Sequence, residues 1–394
     1  MKKNYHNEKM ETASRAEIES LQAKRLRAVA DHVYRSNPIY RKLFDARGVK
    51  PEDIRGLEDV SKLPTTNKNI LRESYPLGLS CVPRREVAEM HMSSGSTGTP
   101  VIMPYTTADL SQWAECMARC YYMAGINQGD VIQITPSFGL FNGGFGFYHG
   151  ARMAGLFIIP TGAGNTPRQI RLMKDFNVRA LMGVVSYGIR IMEILEEQKT
   201  DLPDLKIGIF GAETFSNSMR KKIEGGLGIE TFDIYGMTET GGVGTTGMDC
   251  PAHEGIHVWE DQYITEVVDS QTGKPLPDGS TGEVVLTSLT RSAIPVIRFR
   301  TRDISWIQSR EKCICGRTHI RIGRITGRLD VGVGEVQLEA GQFNGKNVVV
   351  DPVVQGLQVD RQPVPPEPSD FVGQDPDDLR PVGRAPQQPA GDCR

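Results

Sequence analysis

The sequence predicts an α/β fold: a large N-terminal domain of mostly parallel sheet flanked by helices, a β-rich subdomain, and a tail outside the fold. Three observations predict it. Between Val131 and Glu224 short apolar runs alternate with amphipathic stretches, the order that builds a parallel sheet with helices on its faces. After about Gly255 the texture turns to short β segments and turns. After Asp330 whole residue types vanish: Val331 to Arg394 holds no Ile, Met, Thr, Tyr, Trp or His, and 9 of the chain's 24 prolines. That stretch has little with which to build a core, so disorder is the expectation for 331–394.

The elements follow in order. Ala16 to Tyr34 reads as an amphipathic helix, with Ile18, Leu21, Leu26, Val29 and Val33 recurring among Glu, Lys and Arg until Asn37-Pro38 ends it. Pro51, Pro64 and Pro76 break Phe44 to Gly78 into short helices and loops, so residues 1–75 form a helical lead. Strands are expected at Val131–Thr135, Phe157–Pro160, Ala180–Val185 and Ile207–Phe210, and helices at Gln169–Phe176, Ile189–Glu197 and Ser216–Glu224. Tyr263–Val268, Gly282–Thr287 and Val296–Arg300 are the later strand candidates, with Asp278-Gly279 as a turn. The main domain then spans 76–330, with its β-rich part at about 245–325.

Composition excludes several classes. The chain has 394 residues, a net charge of −2 and a pI near 6.4, which leaves no basic footprint for nucleic acid. No apolar run approaches the roughly 20 residues of a membrane span. Met1 to His6 leads into charged sequence without an apolar h-region, so the expected compartment is the cytoplasm. There the 7 cysteines are expected as thiols or metal ligands.

Ser93-Ser94-Gly95-Ser96-Thr97-Gly98-Thr99-Pro100 places five hydroxyls and two glycines in a row. Clustered N–H and hydroxyl donors on a turning backbone suit a polyanion such as triphosphate. The loop has no lysine and is not a Walker A motif, so its cation must come from elsewhere. Gly211-Ala212-Glu213 follows a strand at its carboxyl end, where open α/β sheets bind ligands. Asp233-Ile234-Tyr235-Gly236-Met237-Thr238-Glu239-Thr240 gathers an aromatic, hydroxyls and a carboxylate, and Arg300-Thr301-Arg302-Asp303 ends a β segment. Gly327-Arg328-Leu329-Asp330 closes the series. Cys250, His257, Cys313 and Cys315 form a Cys-x6-His and a Cys-x-Cys, a tetrahedral zinc set, with His253 and more weakly His319 as competing ligands. Cys116 and Cys120, one helical turn apart, are assigned to core packing.

In this order and spacing the motifs resemble the adenylate-forming enzymes that make acyl-coenzyme A thioesters, most closely the phenylacetate–coenzyme A ligase family. Leu21 to Arg27, Asn37-Pro38-Ile39-Tyr40, Leu63-Pro64 and Gly143-Gly144-Phe145-Gly146 share the resemblance, which runs from about residue 11 to Asp330. It implies an ATP-dependent ligase that makes an acyl-AMP and passes the acyl group to coenzyme A. Ser93, Ser94, Gly95, Ser96, Thr97 and Gly98 would cradle the β- and γ-phosphates of ATP. Thr238 would donate to the α-phosphate and Glu239 would hold Mg²⁺. Gly211 and Ala212 would lie flat against adenine, with Glu213, Asp233, Tyr235, Gly236 and Met237 completing the nucleotide site. Asp303 would accept both ribose hydroxyls and Arg328 would approach the ribose or phosphate. Asp303 has an alternative as the salt-bridge partner of Arg300 or Arg302.

Ser137 to Phe145 offers aromatic walls, Phe138 and Phe141, and space at Gly143, which favours an aryl acid such as phenylacetate; core packing is the alternative for each Phe. The family's zinc would be the Cys250, His257, Cys313, Cys315 site. Its C-terminal lid domain brings a lysine over the α-phosphate, whereas Lys346 is the only lysine after Lys312 here. The tail is therefore expected to come from a shifted reading frame or a truncated gene product, and turnover to be impaired. Two rival readings are an AMP-transferring sister enzyme acting on a deazaflavin and a non-catalytic nucleotide- or acyl-binding protein. The sequence leaves pairing as a homodimer open.

Overall fold

The computed structural model describes residues 4–93 and 100–329. Ser94 to Thr99 of the hydroxyl-rich loop, Asp330 and the 331–394 tail lie outside the described residues.

The lead folds as its caps dictate. Ser14 and Glu17 form a reciprocal capping box that starts a helix at Arg15–Ser36, worth about 1 kcal/mol for such a cap. Ile18, Leu26, Val29 and Val33 are its buried stripe. Asn37 ends it and starts the next helix, Pro38–Ala46, its Oδ1 accepting from the Ile39 and Tyr40 amides at 2.9 and 3.3 Å. Its Nδ2 donates to the carbonyls of Gly78 and Ser80, tying the lead to the main domain.

The strands run β1 (Val87–Met92), β2 (Ile102–Thr106), β3 (Val131–Ile134), β4 (Phe157–Ile159), β5 (Ala180–Val184), β6 (Ile207–Gly211) and β7 (Glu230–Tyr235). They continue as β8 (Gly247–Asp249), β9 (Ile256–Val258), β10 (Tyr263–Val268), β11 (Gly282–Ser288), β12 (Phe299–Ser305), β13 (Ile307–Ser309), β14 (Arg321–Ile322) and β15 (Gly327–Arg328). The expected parallel run is present as β4-β3-β5-β6-β7. It continues antiparallel through β8, β9, β14 and β13, giving a nine-stranded mixed sheet. A four-stranded antiparallel sheet, β10-β11-β12-β15, and the β1-β2 hairpin complete the described strands.

Helices cover both faces of the large sheet, as a parallel sheet requires. Thr166–Asp175, Val185–Glu197 and Asn217–Leu227 pack Ile170, Ile191, Leu195 and Ile223 against Leu181 and Phe210. Thr107–Met123 and Gly143–Met153 bury Trp113, Met117 and Phe147 with Ile132 and Ile209 in a second cluster. Each such side chain contributes roughly 1.5–3 kcal/mol of burial. Cys116 and Cys120 belong to this core, as expected.

One strand is displaced from its expected place. Val296–Arg300 was the candidate; β12 runs Phe299–Ser305 instead. Arg298 sits at φ +38°, which breaks the extended backbone before Phe299. Consequently Arg300 to Asp303 lies inside β12 rather than at the end of a β segment. No helix among the described residues is long and apolar enough to cross a membrane.

Candidate functional site

The parallel strands β6 and β7 bring together the residues expected on the nucleotide side. Gly211 ends β6, and a Cβ there would lie 2.6 Å from the Ile234 carbonyl oxygen, so only glycine lets the two strands approach. Ala212 follows at φ +65°. The Glu213 carboxylate accepts from the Ser186 amide at 2.7 Å and from its hydroxyl at 2.8 Å, so it positions the loop above β5.

On β7 the Asp233 amide donates to Asp249 at 2.7 Å, while burial first and Asp249 second push the Asp233 carboxyl up to about 7. Tyr235, the last residue of β7, donates its hydroxyl to Asp303 Oδ2 at 2.8 Å. A Cβ on Gly236 would lie 2.2 Å from the Gly242 carbonyl oxygen, so the turn after β7 closes only on glycine. Met237 precedes a 3₁₀ turn that buries Thr238, Glu239 and Thr240.

The second sheet supplies the rest. Asp303 and Arg328 face each other across β12 and β15, with Arg328 Nε donating to Asp303 Oδ1 at 2.7 Å. Arg328 is thus the ion-pair partner of Asp303. Arg300 pairs with Glu283, and Arg302 Nε donates to the Leu329 carbonyl, so neither takes the alternative role. Among the described residues each Asp303 oxygen has one hydrogen-bond partner, which leaves a lone pair on each. Attraction to Asp303 raises the Arg328 guanidinium further above its ordinary range.

Two residues that sequence reasoning missed join this site. Lys68, from the lead, places Nζ 3.0 Å from the buried Glu239 Oε1 as its ion-pair partner. Its segment is anchored to β12, because the Thr66 hydroxyl donates to Ile297 O and the Arg300 amide to Thr66 O. Asn142 Nδ2 donates to Thr238 Oγ1 at 3.1 Å, linking the acid-side loop to the nucleotide-side turn. Both contacts join distant parts of the chain, and no local spacing announces them.

On the acid side, the Phe138 ring meets Phe145 at 5.5 Å and Tyr148 at 6.2 Å, edge to face. Phe141 is 39% exposed, and a Cβ on Gly143 would lie 2.9 Å from its ring. Gly143 opens the helix Gly143–Met153. Ser93 sits at the neck of the hydroxyl-rich loop, where its hydroxyl accepts from the Val101 amide at 3.0 Å and its own amide donates to Val101 O. The remaining loop residues assigned to phosphate, Ser94, Gly95, Ser96, Thr97 and Gly98, lie outside the described residues.

Beside this loop's entry strand, Glu89 Oε1 takes His91 Nε2 at 2.6 Å and His149 Nε2 at 3.1 Å. Burial alone would raise this carboxyl; bonds from His149 and His91 outweigh it and hold Glu89 at about 2, below its ordinary 4.5. A depressed folded-state value contributes stability above the ordinary value and loses it as pH falls toward the folded one. Glu89→Gln is therefore expected to show a shallower fall in urea midpoint than the parent between pH 4.5 and 2. Equal slopes in that window would contradict the assignment.

The four cysteine and histidine residues converge as the spacing predicts. Cys250, His257, Cys313 and Cys315 are buried, and their ligand atoms all lie within 4.8 Å of one another. Cys250 Sγ is 3.7 Å from Cys313 Sγ, and Cys315 Sγ is 3.5 Å from His257 Nε2. A zinc tetrahedron with ~2.3 Å bonds has edges of about 3.7 Å, so the donor set fits that ion. Hydrogen bonding from Cys250 holds Cys313 and Cys315 below the ordinary thiol range. The competitors are occupied elsewhere: His253 by Asp249 at 2.9 Å, and His319 by the Glu260 amide and the Met10 carbonyl.

The N-terminal segment clasps this knuckle. The Tyr5 hydroxyl donates to Cys315 O at 3.1 Å, and Arg317 donates to Glu11 at 2.7 Å and to Asn4 O at 2.8 Å.

Comparison with known proteins agrees with this arrangement. The AMP-binding enzyme family model matches residues 12–290. Phenylacetate-coenzyme A ligase of Aromatoleum evansii is 41% identical over 325 residues, covering 82% of this chain and 73% of that protein. The enzyme of the same name from Thermus thermophilus is 39% identical over 340 residues, covering 84% and 76%. Among solved structures, an open conformation of 2-hydroxyisobutyryl-CoA ligase with 2-HIB-AMP and CoA superimposes with a TM-score of 0.76 at 28% identity, covering 81% of this chain and 77% of that one. The deazaflavin alternative finds no support in these relatives. With its motif order, its fold and this identity over most of its length, the chain belongs to the AMP-binding enzymes and, within them, to the phenylacetate–coenzyme A ligase family.

Proposed function

We propose that this chain activates an aryl acid of the phenylacetate type with ATP, forming acyl-AMP and pyrophosphate, and then passes the acyl group to coenzyme A. The observation that carries the reading is the convergence of Glu239, Thr238, Asp303, Arg328 and Lys68 on one site in a chain about 40% identical to phenylacetate–coenzyme A ligases.

In this reading the acid carboxylate attacks the α-phosphorus, the α–β phosphoanhydride bond breaks, and pyrophosphate leaves with the electron pair. The Asp303 lone pairs accept the two ribose hydroxyls, while Tyr235 and Arg328 keep its carboxylate fixed. Small residues at Gly211 and Ala212 leave room for adenine. Thr238, oriented by Asn142, donates to the α-phosphate. Glu239 is the residue that would hold Mg²⁺: its buried carboxylate is a ligand of the right type, with Lys68 as its ion-pair partner in the structure. That ion, when bound, offsets phosphate charge. Lys68 and Arg328 add the positive charge missing from the hydroxyl-rich loop, and electrostatic positioning of this kind is the main source of rate in such sites. The Cys250, His257, Cys313, Cys315 set is proposed as a structural zinc site, whose thiolates suit a reducing, cytoplasmic setting.

ATP–pyrophosphate exchange across a panel of aryl acids tests the first step, and thioester formation tests the second. Exchange that requires phenylacetate, with thioester formed once coenzyme A is added, is the expected result. Exchange with a flavin and not with an acid overturns the ligase reading.

A further inference from the structure

In the loop Ser137 to Asn142 only Phe138 among the apolar side chains packs against the core, while Leu140 and Phe141 are exposed. Leu140 is 54% exposed, yet its backbone carbonyl is bound twice. It accepts from the Met92 amide at 2.9 Å and from His91 Nδ1 at 3.3 Å. The period-2 pattern of β1 puts Glu89 and His91 on its inner face, with Ala88 and Met90 exposed. His91 is 2% exposed and its ring is packed by Tyr105, Trp113 and Phe145, at 5.4, 5.5 and 5.4 Å between ring centres. Its other nitrogen, Nε2, meets Glu89 at 2.6 Å, which fixes the ring's rotation. Both ring nitrogens therefore face oxygen atoms, Nδ1 the Leu140 carbonyl and Nε2 the Glu89 carboxylate.

Glu89 also binds His149, in the helix that follows the loop, at 3.1 Å. The acid-side segment is thus clamped to β1 at two points, and β1 runs directly into Ser93 and the hydroxyl-rich loop.

We propose that His91 is a positioning residue: a latch that holds the acid-binding loop 137–142 to the strand entering the phosphate loop, so that acid carboxylate and α-phosphate meet in register. The proposal rests on the ligase reading for its kinetic consequence and on geometry alone for its mechanical one. His91 is buried among the Tyr105, Trp113 and Phe145 rings. It acts through the Leu140 carbonyl, with Glu89 as the anchor that orients it. A loosened latch spreads the acid loop over more positions, which weakens acid binding and leaves ATP binding alone.

Two near-isosteric replacements separate the bonds. His91→Asn keeps a donor where Nδ1 lies, toward Leu140; His91→Gln keeps one where Nε2 lies, toward Glu89. H91Q is expected to raise the KM for the acid about tenfold, the typical scale for one lost buried bond, with the KM for ATP within about twofold of the parent. H91N is expected to stay within about threefold for both. Hydrogen–deuterium exchange should show faster labelling of 137–142 in H91Q and parental rates in H91N. Should H91Q fail to fold, Glu89→Ala removes the His149 clamp together with the anchor of His91, and with both points lost the same KM rise and faster labelling are expected. Equal acid KM and equal labelling in the two His91 variants, or an ATP KM that rises as far as the acid KM, overturns the latch. A parent that shows no exchange with any acid overturns the ligase reading, and the labelling comparison still decides the latch.

Discussion

Glu239→Gln is expected to lower acid-dependent ATP–pyrophosphate exchange by ~10²–10³, the usual scale for losing one strong electrostatic contact in a preorganised site. Glu239 is 5% exposed, and its recorded ion pair is with Lys68 Nζ at 3.0 Å. Lys68 is itself 39% exposed, so the substitution leaves an ammonium that water can still solvate, and the fold should survive. The parent and E239Q should then share a thermal midpoint within a few degrees while differing in the Mg²⁺ concentration needed for exchange. Exchange unchanged in E239Q, with unchanged Mg²⁺ dependence, would remove Glu239 from the site.

Cys315→Ser is expected to abolish stoichiometric zinc and lower the thermal midpoint by on the order of 10 °C, because the metal that closes such a cluster contributes folding energy directly. The cluster lies under the N-terminal segment, which Tyr5 ties to the Cys315 carbonyl and Arg317 ties to Glu11 and Asn4. Losing the knuckle should therefore release residues 4–13, and trypsin should cut at Lys9 and Arg15 faster in C315S or after chelation. Elemental analysis gives the stoichiometry and limited proteolysis the consequence. One zinc per chain in C315S, or unaltered cleavage after complete chelation, would contradict this role.

Local chemistry made much of this fold legible, and the failures have physical causes. The Arg15–Ser36 helix could be read because its apolar stripe and its Ser14 cap agree. β3, β5 and β6 were legible as buried apolar runs between helices. The Gly143–Met153 helix was not, since its start reads as glycine-rich loop. Its glycines serve packing: a Cβ on Gly146 would lie 2.4 Å from the Trp113 ring, and one on Gly150 2.2 Å from Met117 Cβ. Tertiary packing overrides helix propensity there. The β12 strand was misplaced because its inner face carries Thr301, Asp303 and Ser305, polar residues satisfied by bonds to Val284 O, Arg328 and Gly323 O. A buried face of that kind gives no hydrophobic signal.

The site divides in the same way. The Cys250, His257, Cys313, Cys315 cluster was legible from spacing, with His253 left as a competitor. The choice follows from Asp249 and Arg220, which both engage His253 Nδ1. Asp303 was legible from its motif, while its partner Arg328 became clear only when β12 and β15 were seen side by side. Lys68, Asn142 and the Glu89–His91–His149 cluster depend on contacts between distant segments, which no window of sequence reveals.

The most direct test is to trap the intermediate. The purified chain, incubated with ATP, Mg²⁺ and phenylacetate without coenzyme A, should accumulate phenylacetyl-AMP on the protein at up to one equivalent, detectable by mass spectrometry after rapid quenching. Adding coenzyme A should convert that pool to thioester. No acyl-AMP with phenylacetate or any related aryl acid, from protein shown to be folded, would contradict the assignment of acid activation to this site.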